Sequence, residues 1–485
     1  MTKLLRWCVL MIAVILLTIG IIFSNITLLF SALLLFFLNN LIYGLEAFNQ
    51  RVIFFMFNVT FFVFLMGRMV VSKLFHYHEK DFKLLGTYFT DQATIFNILI
   101  LLSLSLFCLF LGFAMLDRTV QQGFKQFQPI ETTYKQNIRI ISLGVFTIAI
   151  IFKLMYLAEA VQASQSQGYY AYFSSFKSNL PGVFVLISRM FPVAFFVYLA
   201  TLPAQKKAWL PILAYLFVDG LSVLTGSRSD FMLDVLILFI YFCYRNVLAK
   251  QTGTQAWFGK KTIIAGIISA PILLALMNFV GNNRGGEKTD GGFFDALLSF
   301  FFSQGISVNV IGYTIEKAKE IPDKIYSIGP LTEYAVYNIW GNLTGGQGGW
   351  SGQSVERALE GYQYSHTMSY VIMKDLYLKG VGYGSSFVAE TYHDFGYVGM
   401  MFGSIVIGLL IALFTRMLTA KHILVIAAAL IMARMMLFIP RASTIAFIID
   451  TFSPANIFTV LVIFGLERVM RSYFERKRNQ HKQEL

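Results

Sequence analysis

The chain has 485 residues, of which 56% are hydrophobic and only 13% charged, and its mean hydropathy is +0.64. A soluble domain carries about 25% charged residues, so a water-soluble globular fold is excluded. The formal net charge of +13 does not indicate nucleic acid, because the lysines and arginines gather in short connecting segments and in the C-terminal tail, where membrane insertion needs them.

Apolar windows of roughly 20 residues, enough to cross a bilayer, recur along the whole length. Read in chain order, they predict spans at 5–24, 26–45, 52–74, 94–115, 138–160, 182–202, 209–225, 230–247, 262–280, 386–414, 421–438 and 454–470. The first, within "MTKLLRWCVLMIAVILLTIG", has the basic start and apolar run of a signal peptide. No small-residue cleavage site follows it, so it reads as a retained span. Cys8, Cys108 and Cys243 fall in apolar segments without paired spacing, which indicates neither a disulfide framework nor a zinc site. The expected fold class is an all-α polytopic membrane protein of about twelve transmembrane helices, a single integral domain over 1–485 with no internal repeat. A large, partly helical external loop is expected at 281–385, between spans nine and ten, and a basic cytoplasmic tail at 471–485.

Orientation follows from the Lys/Arg bias. One set of alternating segments holds Lys3, Arg6, Arg51, Arg118, Lys125, Lys135, Arg139, Lys206, Lys207, Arg245, Lys250, Lys260, Lys261, Arg416 and Lys421, and the tail joins them. The opposite short loops carry mainly Lys80, Lys83, Lys177, Arg228 and Arg441. Both termini are therefore expected in the cytoplasm, and segment 281–385 outside. That segment contains "FFDALLSFFFSQGISVNVIGYTIEKAKE", an amphipathic helical stretch, and the glycine turns "GGQGGW" and "KGVGYGSS". A loop so rich in Phe, Tyr and Leu reads as a lid or binding element, not a linker.

The external side collects Arg228 in "LTGSRSDFMLD", Arg284 in "GNNRGG", His366 in "YSHTMSY" and Arg441 in "IPRAS". Arg434, in "MARMM", lies in a span whose outer end is near Arg441. A guanidinium inside a membrane costs about 2.5–3.5 kcal/mol on insertion scales and marks function by default. Several guanidiniums on one face repel each other unless an anion joins them, and their forked donors fit phosphate. The expectation is an outward-facing site for a phosphate or diphosphate. Each residue also has a plain alternative: Arg228 pairing with Asp230 or Asp234 or reaching to the interface, Arg284 pairing with Glu287, Arg441 anchoring a span end, and Arg434 pairing with an acid on a neighbouring helix.

His366 is the external candidate for proton transfer, since imidazole titrates near neutrality. Its alternative is a loop histidine with no task. Glu390, His393 and Asp394 in "FVAETYHDFGYVGMMFGS" share a helix face at i, i+3 and i+4. That spacing could hold a metal, but one turn with no second ligand pair is weak support for it, and Glu390 reads first as a second candidate base or as a group orienting an Arg. The tyrosines of "GYYAYF", Tyr169, Tyr170 and Tyr172, serve either to stack on sugars or as interfacial anchors.

"LTGSRSDF" opening a span, the large loop before the last spans, and "GVGYGSSFVAETYHDFGYVGMMFGSIVIG" at its re-entry resemble the Wzy-type O-antigen and capsular polysaccharide polymerases over most of the chain. "SQG" at 303–305 and "SHTMSY" at 365–370 add to the resemblance. Such enzymes are similar to the multi-spanning, GT-C-like glycosyltransferases that use lipid-linked sugars. The resemblance implies metal-independent transfer without a cofactor. The growing glycan would pass from its polyprenyl diphosphate to the non-reducing end of another lipid-linked unit, on the outer face of a bacterial plasma membrane. It implies that Arg228 and Arg284 grip diphosphates and that His366 serves the acceptor hydroxyl; Arg441, Arg434 and Glu390 join them by position and chemistry. Implied partners are polyprenyl-diphosphate-linked oligosaccharides, the bilayer, and a chain-length regulator and flippase of the same pathway, with no nucleic acid. A glycan ligase, a flippase for the same lipids and a scaffold are the rival readings.

Overall fold

The computed structural model describes residues 2–77, 82–168, 176–259, 292–341 and 352–483, with Tyr172, Thr344 and Trp350 between them. Helices dominate, and no strand occurs among the described residues. Eleven described helices are long and apolar enough to cross a membrane, in keeping with an all-α polytopic membrane protein. Ten coincide with expected spans. The eleventh, Phe293–Glu316, falls inside the segment expected to be an external loop. The expected span at 421–438 is a shorter apolar helix, Ile423–Met436, and the one at 262–280 lies outside the described residues.

In chain order we label α1 Thr2–Ile22, α2 Ile26–Glu46, α3 Val52–Phe75, α4 Gln92–Gln126, α5 Thr133–Gln167, α6 Gly182–Ala200, α7 Gln205–Ser222, α8 Ser229–Thr252, α9 Phe293–Gln304, α10 Val308–Glu316, α11 Val355–Glu360, α12 Tyr364–Tyr377, α13 Phe387–Met417, α14 Ile423–Met436, α15 Ala446–Thr451 and α16 Pro454–Gln483. They form two compact units. The first comprises Met1–Gln122, Phe239–Thr415 and Met435–Phe447; the second comprises Gly123–Leu238, Arg416–Arg434 and Ile448–Leu485.

In the first unit α1 and α2 pack as a hairpin, and Asn25 caps α2 by accepting the Leu28 N–H at 3.0 Å. Arg51 donates to both Asp117 oxygens, at 3.0 and 2.7 Å, and to Glu46 at 3.2 Å, while Arg6 reaches Glu46 at 3.2 Å. Two cations and two carboxylates thus neutralise each other at helix ends that the Lys/Arg bias had assigned to one side. Burial of these charges is tolerable because each is paired and hydrogen-bonded.

Helices α4 and α13 touch backbone to backbone. A side chain on Gly112 would stand 2.1 Å from the Ile405 carbonyl oxygen, and one on Gly408 would stand 2.4 Å from that of Leu109. Small residues let helices approach this closely where lipid gives them no hydrophobic reason to associate. Ser105 and Ser404 add a 2.9 Å hydrogen bond across the contact. This contact fixes α13, the long helix that begins at Phe387. In the second unit α5 packs along α6, and α16 lies against both.

Candidate functional site

The re-entry stretch "GVGYGSSFVAE" provides the framework of the site. Gly384 takes φ +82°, a left-handed turn that favours glycine, and a side chain there would press on the Arg441 carbonyl at 3.2 Å. Beyond it, Ser385 N–H donates to the Arg441 carbonyl at 3.4 Å and Phe387 N–H to that of Ile439 at 3.2 Å. Two chain segments far apart in sequence thus run side by side.

Glu390, one turn into α13 and fully buried, locks them together. One carboxylate oxygen accepts the hydroxyls of Ser385 and Ser443, at 2.6 and 2.7 Å. The other accepts the Thr444 N–H and hydroxyl, both at 2.8 Å. A carboxylate has about four acceptor positions, so this one is saturated by protein. Its evident work is to hold the loop that carries Arg441. Glu390→Gln, which brings an NH2 donor up against hydroxyl and N–H donors, should lower stability by about 1–3 kcal/mol. A shift of the thermal melt in detergent checks this; an unchanged melt would remove the bolt role.

Arg441 reaches across to "SQG", where its Nη1 donates to the Gln304 side-chain oxygen at 2.9 Å, with Phe64 beside the guanidinium at 5.7 Å. Gln304 ends α9, and the turn Gly305–Ser307 leads into α10. That turn lies hard against α3. A side chain on Gly305 would be 2.5 Å from the Arg68 backbone nitrogen. Here α3 carries a π-helical turn, Phe62–Met66, the kind of helix irregularity often seen at functional positions.

Arg68 follows that turn and is only 2% exposed. It donates to the carbonyls of Gly86 at 2.5 Å and Phe302 at 3.2 Å, and the rings of Phe302, Phe82 and Tyr88 surround it at 3.9, 4.4 and 5.5 Å. Tyr313 and Tyr383, 5.6 Å apart, are further neighbours. Its charge is thus met by carbonyls, rings and tyrosine hydroxyls, not by a salt bridge among the described residues. Arg68 and Arg441 therefore both hold the end of α9, at Phe302 and Gln304.

His366 belongs to the same unit, on α12. Its Nδ1 lies 2.9 Å from the Tyr377 hydroxyl, which donates to the Ser354 carbonyl at 3.3 Å. Burial first, and the nearby Arg357 second, push the imidazole down to about 3 from its usual 6.5. Helix α12 is tied to the re-entry stretch, because Ser369 Oγ accepts the Tyr383 N–H at 3.1 Å. The histidine helix and the Arg441 loop are thus both fastened to residues 383–390.

The i, i+3, i+4 trio divides its tasks. Glu390 is engaged as described. Asp394 accepts the N–H groups of Tyr326 and Ser327, at 2.9 and 2.7 Å, and His393 lies 3.2 Å from it. The helix then breaks at Phe395–Gly396. Among the described residues, no group of three or more His, Cys, Asp or Glu side chains is placed to hold a metal ion.

The second unit contains Arg228 and Arg434. The corner "LTGSRSD" turns at Gly226, φ +98°, and Ser164 Oγ anchors it by donating to the Thr225 carbonyl at 2.7 Å. Arg228 is half-buried, and its carbonyl accepts the Met232 N–H at 3.1 Å to open α8. Arg434 forms a fork on Asp234, at 2.6 and 3.1 Å, and also reaches Asp230 at 3.2 Å. The alternative of an acid on a neighbouring helix is therefore realised for Arg434. Arg284 lies outside the described residues. Sequence reasoning missed Arg68, although an arginine inside a predicted span was the available signal.

A family model described as O-antigen polysaccharide polymerase Wzy matches residues 5–473. No curated protein and no solved structure matches the chain.

Proposed function

The chain belongs to the O-antigen polysaccharide polymerase Wzy family, and on that premise we propose how it joins lipid-linked oligosaccharide repeat units into a polysaccharide. The donor glycan is carried on a polyprenyl diphosphate at the outer face of the plasma membrane, and that diphosphate is the leaving group. A hydroxyl at the non-reducing end of a second lipid-linked unit attacks the anomeric carbon of the donor. The new C–O bond forms while the bond from that carbon to the diphosphate oxygen breaks, and the electron pair leaves with the diphosphate. No nucleotide is consumed, and neither metal nor cofactor takes part.

Charge grows on the leaving diphosphate as the bond breaks, so fixed cations stabilise the transition state more than the bound substrate. Arg441 is assigned that task. The observation that carries the assignment is its mounting: one side of its loop is bolted by Glu390 and its head is aimed by Gln304. Arg68 braces the end of α9 that presents Gln304 and contributes fixed positive charge to the same region. Within the second unit, Arg228 is assigned a phosphate contact of its own at the start of α8, where helix N–H groups also favour an anion. Arg434, held by two aspartates, supports the Arg228 corner.

His366 takes the acceptor proton. With the Tyr377 proton given to the Ser354 carbonyl, Nδ1–H donates to Tyr377 and Nε2 keeps its lone pair. A neutral imidazole can accept the hydroxyl proton as the bond forms and pass it to water.

Two experiments test the proposal. Purified protein supplied only with lipid-diphosphate-linked repeat units should make a ladder of lengths; a ligase lacking its second acceptor would make none. Arg228→Lys should lower polymer yield about 100-fold, the scale of one lost transition-state donor, because a point charge lacks the forked geometry. Near-normal polymer from that variant would show that Arg228 contacts no phosphate.

A further inference from the structure

In the second unit, the last two turns of α5 place Glu159, Gln162, Ala163 and Ser166 on one face. The chain returns across that face at residues 176–179. Glu159 pins the return by accepting the Asn179 N–H at 2.7 Å and the Ser178 hydroxyl. Between helix and strap is a cavity of about 460 Å³, within the range of roughly 300–1,000 Å³ typical of small-molecule sites. Among the described residues its walls are Glu159, Gln162, Ser166, Lys177 and Asn179, together with the ring of Phe176.

From this lining we infer that the cavity is a saccharide subsite, binding one sugar residue of the lipid-linked repeat unit. An amide, a hydroxyl and an ammonium present donors and acceptors mixed at close range, which matches sugar hydroxyls and does not match an acyl chain. The Phe176 ring offers a face to the apolar C–H side of a pyranose, and it is supported by Tyr172 at 4.9 Å and Tyr156 at 5.9 Å. Gln162 and Lys177 are exposed side chains on this wall, so their polar ends are accessible to a ligand there. The Lys/Arg bias assigns this end of α5 to the outside, the side of the glycan. The sugar's identity as part of a repeat unit rests on the polymerase reading; the binding chemistry does not.

The experiment uses the full-length protein in nanodiscs and, as probe, the free repeat-unit oligosaccharide released from its lipid. Saturation-transfer NMR should detect binding to the wild type, and Gln162→Ala should weaken it about tenfold, the loss of one hydrogen bond. With lipid-linked units, the same variant should raise KM by a similar factor and leave kcat unchanged, the mark of lost uniform binding. Gln162 is exposed, and an unchanged thermal melt shows that the variant folds. Equal oligosaccharide affinity in wild type and variant, or no binding to either, overturns the subsite. If the wild type extends no lipid-linked unit, the polymerase reading fails, and the NMR comparison still decides the cavity.

Discussion

Arg441→Lys should reduce polymerisation about 100- to 1000-fold, the scale expected when a donor aimed at developing charge is lost, while protein level and thermal melt stay near wild type. Lysine keeps the positive charge but loses the planar fork, so it cannot present rigid paired donors to a phosphate while Gln304 orients the group. The loop itself should survive, because Glu390 holds it through Ser443 and Thr444 and not through the guanidinium. The discriminating measurement is single-turnover transfer from a lipid-diphosphate donor. A large fall in rate with intact donor binding is the expected result. Wild-type rates in Arg441→Lys would show that the bolted loop serves folding alone.

The second large effect falls on His366. His366→Ala should lower kcat by about 100- to 10,000-fold, the contribution of a positioned general base, and Tyr377→Phe should cost less, since it removes only the partner of Nδ1. The pH behaviour separates rate from stability. Inside the fold the imidazole is pushed down to about 3, so its titration should not lower the rate anywhere between pH 8 and 5. In the unfolded chain it takes up a proton below about 6.5. The unfolded state therefore binds more protons than the folded state between those values, and stability falls as pH drops from about 6.5 toward 3. The slope from this one group approaches roughly 1.4 kcal/mol per pH unit within the window. Denaturation of wild type and His366→Asn at pH 7 and pH 5 measures it: the wild type should lose more on acidification. Equal losses would mean that the histidine is not held neutral by its surroundings.

Much of the fold was legible beforehand, because a span declares itself by length and apolarity alone. Ten of the expected spans coincide with helices, and several helices, Gln92–Gln126 and Thr133–Ser166 among them, run beyond their windows. The two departures have physical reasons. Phe293–Glu316 carries Ser303, Gln304, Gly305 and Asn309 in its middle, and polar residues with a glycine turn made it read as amphipathic surface. Ile423–Met436 is shorter than its apolar window because the chain leaves the helix at residues 437–440 to pair with the re-entry stretch.

Of the site, the residue types were visible and their employment was not. A carboxylate at position 390 looks the same in sequence whether it takes a substrate proton or accepts four hydrogen bonds from Ser385, Ser443 and Thr444. Arg434 looks the same whether it waits for a phosphate or is clamped by Asp234. Arg68 was passed over because the apolar run around it set the reading.

Sequence alone determined that the chain is a helical membrane protein and that it resembles the polysaccharide polymerases, and it offered guanidiniums and a histidine as candidates for the chemistry. Those conclusions depend on composition and local order, which the chain carries residue by residue. The tertiary structure decided which of those groups are mounted together: residues 303–305, 383–390 and 439–444 meet although they are distant along the chain. Hydrogen bonds and burial, which act over a few ångströms in space, assign each polar group its partner, and no local pattern encodes that pairing.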